Sequence, residues 1–325
     1  MRHNPDDEKC TPYAHTPVLW KEVLSFAGEA LKRAGGVLVD CTLGEGGHTE
    51  LFLESFPAAR VVAFERDPEV LTVARERLSR FGDRAELIND NFSRIGSYAG
   101  RISGASALLF DYGISSYHFD RSGRGFSLHR GEPLDMRLDP GAERSAAEIV
   151  NNFSELELTD IFRRYGEERW AGKIARHICR KRQEQPIETT SQLSALVLEA
   201  IPRRFHVKNI HPATRIFQAL RIVVNDELRA IEESLNASLA LLGEGGIVMA
   251  ISFHSLEDRI VKNAFREMAR GCVCGMGPKR CVCGQKPSVK ILTKKPVTPS
   301  QEEVAVNKRS RSAKLRVCEK IAVSE

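Results

Sequence analysis

The chain has 325 residues, 42% of them apolar and 28% charged, and a formal net charge of +5. That composition fits a globular protein long enough for a core fold with an insertion, and no run approaches the ~20 apolar residues of a membrane span. The opening MRHNPDDEKCTPYAHTP lacks an apolar signal segment, so the eight cysteines do not read as a secreted disulfide framework; a cytoplasmic enzyme is expected.

His15-Thr16-Pro17-Val18-Leu19 leads into an amphipathic helix over about 20–32, with Val23, Leu24, Ala27 and Leu31 on one face, expected to cover a sheet edge. Val37-Leu38-Val39 form a short buried strand that ends in Asp40 and breaks into Gly44, Gly46 and Gly47, a tight turn before a helix. Residues without a Cβ allow the sharp bend and let a ligand lie against the backbone. Arg60-Val61-Val62-Ala63-Phe64-Glu65 is a second strand closing in an acid, where open α/β sheets bind the hydroxyls of a ribose. The two together read as an adenosine site, although a glycine-rich turn can also be a plain connector. A dinucleotide fold wants G-x-G-x-x-G, and here the third glycine position holds Thr49. A crowded turn carrying Glu45 suits the sulfonium and amino-acid tail of S-adenosylmethionine better than a diphosphate.

Asp67-Pro68 caps the next helix, whose apolar positions are Val70, Val73, Ala74 and Leu78. A third strand over 85–89 precedes Asp90-Asn91-Phe92, where Phe92 either stacks on an adenine or joins the core. Ala107-Leu108-Leu109-Phe110-Asp111 is a fourth strand, again ending in a carboxylate at the ligand-binding rim. The aperiodic stretch after it, through Ser115, Ser116 and His118 to Gly123-Arg124-Gly125-Phe126-Ser127 and Pro133-Leu134-Asp135-Met136-Arg137, is long enough to suggest function.

From 145 to about 209 the pattern is helical, with caps at Asn151-Asn152-Phe153-Ser154 and Thr189-Thr190-Ser191-Gln192 and breaks at Pro186 and Pro202. It reads as an insertion between the fourth and fifth strands. The window 160–182 carries eight Lys/Arg against three acids, which equals the whole net charge. Such a local excess fits a phosphate-contacting face or a solvated helix. His211-Pro212 opens one long helix with Ile216, Leu220, Val223, Leu228, Ile231 and Leu235 on its buried side. Ile247-Val248-Met249-Ala250-Ile251-Ser252 is the fifth strand and delivers Phe253-His254-Ser255 to the same rim. Cys272, Cys274, Cys281 and Cys283 form two C-x-C pairs around a turn, either a tight zinc site or reduced thiols. Strands near 289–293 and 314–317 close the chain.

Asp40-Cys41-Thr42-Leu43-Gly44-Glu45-Gly46-Gly47-His48, Arg124-Gly125-Phe126-Ser127, Pro133-Leu134-Asp135-Met136-Arg137, Tyr165-Gly166-Glu167-Glu168-Arg169, His211-Pro212-Ala213-Thr214-Arg215 and Ser252-Phe253-His254-Ser255-Leu256-Glu257-Asp258-Arg259 together resemble the MraW family of small-subunit ribosomal RNA methyltransferases. The resemblance runs over about 15–316. It implies an α/β fold: a Rossmann-like class I S-adenosylmethionine-dependent methyltransferase core with a seven-stranded, mostly parallel sheet and an inserted helical domain. Residues 1–125 would be the first part of the core, 126–209 the RNA-recognition insertion and 210–325 the second part of the core. The implied reaction methylates the N4 amine of a cytosine in 16S rRNA within the small ribosomal subunit, near the decoding centre; no membrane is involved, and a homodimer is allowed.

By the same resemblance, cofactor contacts fall on Gly46, Gly47, His48, Glu65, Phe92, Asp111 and His118. The family usually has Asp where this chain has Glu65, and Pro-Gln where it has Tyr117-His118. The cytosine amine is a weak nucleophile and must be held in line with the methyl carbon. Asp111, Ser115, Ser116 and Asp135 are the expected acceptors, with His254 as a proton relay or a strand-end structural residue. No metal is assigned. The face over 163–182, with Tyr165 and Trp170 interleaved, is the expected RNA platform.

Overall fold

The computed structural model describes residues 16–34, 36–128, 130–206, 211–271, 274 and 286–322. Seven strands, β1 (Val37–Asp40), β2 (Arg60–Phe64), β3 (Ala85–Ile88), β4 (Ala105–Asp111), β5 (Leu242–Ser252), β6 (Val289–Ile291) and β7 (Lys314–Lys320), form one sheet in the order β3-β2-β1-β4-β5-β7-β6. Neighbours among β1 to β5 pair in parallel, whereas β7 runs antiparallel to both β5 and β6. This is the expected Rossmann-like, mostly parallel sheet. The central strands are apolar almost throughout because both faces are covered; β4 is buried from Ala105 to Phe110.

One face packs on α1 (Trp20–Ala34), α2 (Gly47–Ser55) and α3 (Pro68–Leu78) through Val23, Ala27, Phe52 and Leu71. The other packs on α4 (Ala99–Ile102), α11 (Glu227–Leu241) and α12 (Ser255–Met268) through Ile102, Ile231, Leu235, Val261 and Phe265. The expectation that the first helix covers the sheet edge is corrected: α1 lies across the central strands β4 and β5. Its apolar stripe needs a broad apolar surface, which the middle of the sheet offers and the short edge strands do not.

Between β4 and β5 the chain builds α5 (Ser116–Asp120), α6 (Ala146–Asn152), α7 (Glu155–Arg164), α8 (Ala171–Lys181), α9 (Thr190–Ala200) and α10 (Thr214–Asn225). Ser145, Ser154 and Thr189 open α6, α7 and α9 with reciprocal capping boxes to Glu148, Glu157 and Gln192. A separate apolar cluster, from Phe126 through Leu158, Ile174 and Leu193 to Leu220, holds this lobe together and includes α10. The single long helix expected after His211-Pro212 is two, because Asp226 takes a left-handed conformation at φ 52° between α10 and α11. Buried Asn225 anchors that break: its amide donates to Met136 O at 2.7 Å, and its oxygen accepts from Leu138 N at 2.8 Å.

Before β7 come α13 (Gln301–Val306) and a 3-10 turn at Lys308–Ser312. Leu19 N donates to Glu303 Oε1 at 2.8 Å, which joins the start of α1 to α13. Of the cysteine hairpin, Cys272, Cys281 and Cys283 lie outside the described residues. Among the described residues no helix is long and apolar enough to cross a membrane.

Candidate active site

The strand order reverses between β1 and β4, so the helices that follow them diverge and leave a crevice at the carboxyl ends of the strands, the usual ligand position in such sheets. A cavity of about 740 Å³ lies there, within the range of small-molecule and cofactor sites.

Its first wall is the glycine turn. Gly46 caps α2 at φ 85°, and Gly44 bends at φ 53°. A Cβ on Gly47 would stand 2.7 Å from Pro17 Cγ, so a side chain there would displace the chain entering α1. Gly44, Glu45, Gly47 and His48 line the cavity. Gly46 does not; it sits beneath, where a Cβ would meet Leu78 Cδ1 at 3.2 Å, so its part is to shape the turn. Thr49, at the position of the missing third glycine, is buried and donates to Asp40 Oδ2 at 2.7 Å. The turn is thereby tied to the end of β1, and burial raises the Asp40 pKa above its ordinary value.

Glu65, just past β2, braces the same turn. Its Oε2 accepts from Gly44 N at 3.0 Å and its Oε1 from Asp67 N at 2.9 Å. A carboxylate has about four lone-pair sites, so both oxygens can still accept ribose hydroxyls. Burial pushes the Glu65 pKa up, against the lowering effect of the backbone donors and His118. Phe92 borders the cavity, edge-on to Phe110 with centroids 6.1 Å apart.

At the end of β4, Asp111 N donates to Thr42 Oγ1 at 2.6 Å, which locks β4 to the turn. Asp111 Oδ2 lies 3.6 Å from His48 Nε2, while its Oδ1 and that Nε2 are buried without hydrogen-bond partners. Buried polar atoms left unpaired are costly. A donor and an acceptor side by side on a cavity wall fit a zwitterionic amino-acid group, and together with Glu65, Phe92 and the turn they fit S-adenosylmethionine.

Ser115, Ser116 and His118 also line the cavity, on α5 and its cap. His118 is committed elsewhere. Its Nε2 is 2.9 Å from Asp67 Oδ2, and its Nδ1 accepts from Ser115 N at 3.2 Å and lies 2.9 Å from Ser115 Oγ. With both ring nitrogens used, the expected His118 contact becomes one of shape and not of hydrogen bonding. Asp67 is the hub: fully buried, it caps α3 through Glu69 N at 2.9 Å and receives both His118 and Arg124. Burial pushes its pKa up, but those two donors outweigh it and the net shift is down.

Asp135 is not brought to the cavity. Its Oδ1 accepts from Arg137 Nε at 2.8 Å and its Oδ2 from Arg137 Nη2 at 2.8 Å, a two-pronged pair at the foot of the lobe. Met136 beside it lines the cavity and Leu134 packs in the lobe core, while the Arg137 fork holds the Asp135 side chain away from the cavity.

The opposite wall comes from α10, α11 and α12. His254, at the end of β5, caps α12, with Glu257 N donating to its Nδ1 at 3.5 Å. Its Nε2 lies 3.0 Å from Glu257 Oε1, and Glu257 Oε2 accepts from Phe253 N at 2.7 Å. Burial would raise the Glu257 pKa, yet His254, Arg221 and the Phe253 amide bring it below the ordinary value. Arg221 forks onto Glu227, Nε to Oε1 at 2.8 Å and Nη2 to Oε2 at 3.0 Å. Glu227, His254 and Glu257 bring ligand-type atoms within 4.8 Å of one another. Arg221 already balances Glu227, however, and backbone donors hold Glu257, so this is an ion-pair network. Arg221, Glu227 and Phe217 escaped the sequence reading because the contact spans a helix break that no glycine announces.

Outside the cavity, α8 turns Ile174, Ala175 and Ile178 inward and Lys173, Arg176 and Arg180 outward. Trp170 and Phe205 pack with centroids 5.1 Å apart. Arg169 lies over both rings, Lys173 over Trp170 and Arg204 over Phe205. The neighbouring Glu167 reaches the rim, accepting from Ser255 Oγ and from Arg259 Nη2 at 2.9 Å.

The MraW methylase family model matches residues 12–321. A ribosomal RNA small subunit methyltransferase H from Geobacter sp. strain M21 is 49% identical over 315 residues, covering 95% of this chain and 99% of that protein. Its counterpart from Geobacter sulfurreducens is 48% identical over 312 residues, with the same coverage. Another from Leptospira interrogans is 47% identical over 312 residues, covering 94% of this chain and 89% of its own.

Proposed function

The chain belongs to the MraW methylase family, and from that premise we propose that it methylates the N4 amine of a cytosine in small-subunit ribosomal RNA, near the decoding centre, with S-adenosylmethionine as donor. The observation that carries the reading is the convergence of Glu65, the glycine turn and the unpaired His48–Asp111 couple on one crevice at the β1/β4 reversal. The relatives' shared name supports the ribosomal RNA substrate, and the work is then cytoplasmic.

Bound S-adenosylmethionine supplies an electrophilic methyl group on a sulfonium. In this reading Glu65 accepts the ribose hydroxyls, Phe92 lies against the adenine, and His48 and Asp111 face the amino-acid end. Asp111 Oδ2, the exposed oxygen of that carboxylate, with Ser115 and Ser116 beside it, accepts hydrogen bonds from the cytosine amine and aims its lone pair. Orientation of this kind supplies about 7–11 kcal/mol in favourable cases. In this reading the proton lost after transfer goes to His254 Nε2, which makes no hydrogen bond of its own and lies 3.0 Å from Glu257 Oε1, where the resulting imidazolium is held. Asp135 drops out of the reacting set and holds the lobe through Arg137.

The helical lobe, 126–209 together with α10, presents the RNA in this proposal. Its stacking platform is the Trp170–Phe205 pair with Arg169, Lys173 and Arg204, joined to the rim through Glu167. Exposed acids pair with several basic residues of this lobe, as Asp160 does with Arg164 and Glu155 with Arg176, but such pairs are weak and phosphates can replace them.

The test is to incubate the protein with radiolabelled S-adenosylmethionine and either free small-subunit RNA or assembled subunits, then map the label. Label on a single cytosine N4 is expected. Label on another base or position, or none on either substrate, refutes the reading.

A further inference from the structure

α10 presents two faces. Ile216, Ala219 and Leu220 are buried in the lobe core, whereas Thr214, Phe217, Gln218 and Arg221, spaced as one helical stripe, line the cavity. The stripe is polar except for Phe217, and two of its members are fixed in place: Gln218 Nε2 donates to Tyr165 O at 3.0 Å, and Arg221 is forked onto Glu227. The fork occupies Arg221 Nε and Nη2. A guanidinium has five N–H donors on three nitrogens, so the fork still leaves three of them, two on Nη1 and one on Nη2. Arg221, Glu227 and Glu257 are largely buried, with side chains 16%, 11% and 1% exposed. A cation oriented in this way beside a cavity is a preset hydrogen-bond donor.

The geometry points to α10 as the element that reads the nucleobase: Arg221, oriented by Glu227, donates to the O2 and N3 acceptors of cytosine against Phe217, while the N4 amine turns toward Asp111. This assignment rests on the proposed methyltransfer and names the residues that select its substrate. Cytosine offers two adjacent acceptors on that edge. Uracil offers an N–H at N3, which a guanidinium cannot accept. A buried site built for one pattern strongly rejects the other, because the mismatch leaves polar groups unpaired.

The test uses the full chain saturated with S-adenosylhomocysteine, into which cytidine and uridine 5′-monophosphates are titrated by calorimetry or ligand-observed NMR. The wild type is expected to bind the cytidine nucleotide at least about tenfold tighter. In Arg221→Gln the two affinities fall within about twofold of each other, while affinity for S-adenosylhomocysteine is unchanged. A preference that survives in Arg221→Gln, or a wild type that binds the two nucleotides equally or binds neither at about 10 mM, overturns the assignment. If Arg221→Gln fails to bind S-adenosylhomocysteine, Arg221→Lys, which keeps the charge beside Glu227 and loses the fork, decides by the same ratio. Failure of the wild type to bind S-adenosylhomocysteine would instead sink the methyltransferase reading, and the nucleotide ratio would still judge Arg221.

Discussion

Glu65 braces the turn and, in the proposed reading, accepts the ribose hydroxyls, so its ionisation sets a pH dependence. Because burial raises its pKa above the ordinary 4.5, ionising it costs stability as pH climbs through the raised value. Ribose hydroxyls donate to the ionised form, so affinity for S-adenosylhomocysteine should increase with pH until the carboxylate is fully charged. Calorimetry from about pH 4, below the ordinary value, to about pH 8 should show that rise, and Glu65→Gln should abolish it. The same variant should bind about 10- to 100-fold more weakly at pH 8, from the loss of charge-assisted hydrogen bonds worth about 1.5–3 kcal/mol. A flat wild-type profile would contradict the assigned contact. Asp135 makes the opposite case. Held by Arg137 away from the cavity, it should tolerate Asp135→Asn with methyl transfer per folded molecule within about twofold, while the melting temperature drops. A large fall in turnover at unchanged stability would return Asp135 to the reacting set.

At the scale of elements, the parallel strands and the capped helices were legible because their signals are local. Runs such as Ile247-Val248-Met249-Ala250-Ile251 and boxes such as Thr189 with Gln192 fix structure within a few residues. The α10–α11 break was not legible, since Asp226 adopts its left-handed conformation only where Asn225 is tied to residues almost 90 positions earlier in the chain. No pattern near 226 carries that information. Asn225→Ala removes three side-chain hydrogen bonds, two of them buried, and strands the Leu138 amide and the Met136 carbonyl. A loss of about 2–4 kcal/mol in denaturant unfolding is expected. The site followed the same division. Glu65 and Asp111 end strands and could be named in advance, whereas Asp67 and the Arg221–Glu227 pair depend on contacts between separate elements.

For the whole molecule, the excess charge that composition located in 160–182 lies on a lobe with its own apolar core, attached to the sheet domain through Arg66, whose Nη1 donates to Asn225 O at 3.0 Å, and through Glu167 at the rim. In the proposed reading, substrate capture and methyl transfer fall to different cores. Changing Arg169, Lys173 and Arg204 together to Gln should weaken binding to small-subunit RNA. It should also reduce the slope of log affinity against log salt by about 0.7 for each phosphate contact removed, with S-adenosylhomocysteine affinity intact. An unchanged slope would move the RNA surface elsewhere.

The bond from Leu19 to Glu303 spans 284 positions, and Pro17, Asn307 and Ser312 border the cavity beside it. During vectorial synthesis this part of the entrance stays unfinished until residues beyond 303 have left the ribosome. A nascent chain halted before α13 would expose its half-built crevice, and chaperones would meet that intermediate rather than a closed pocket.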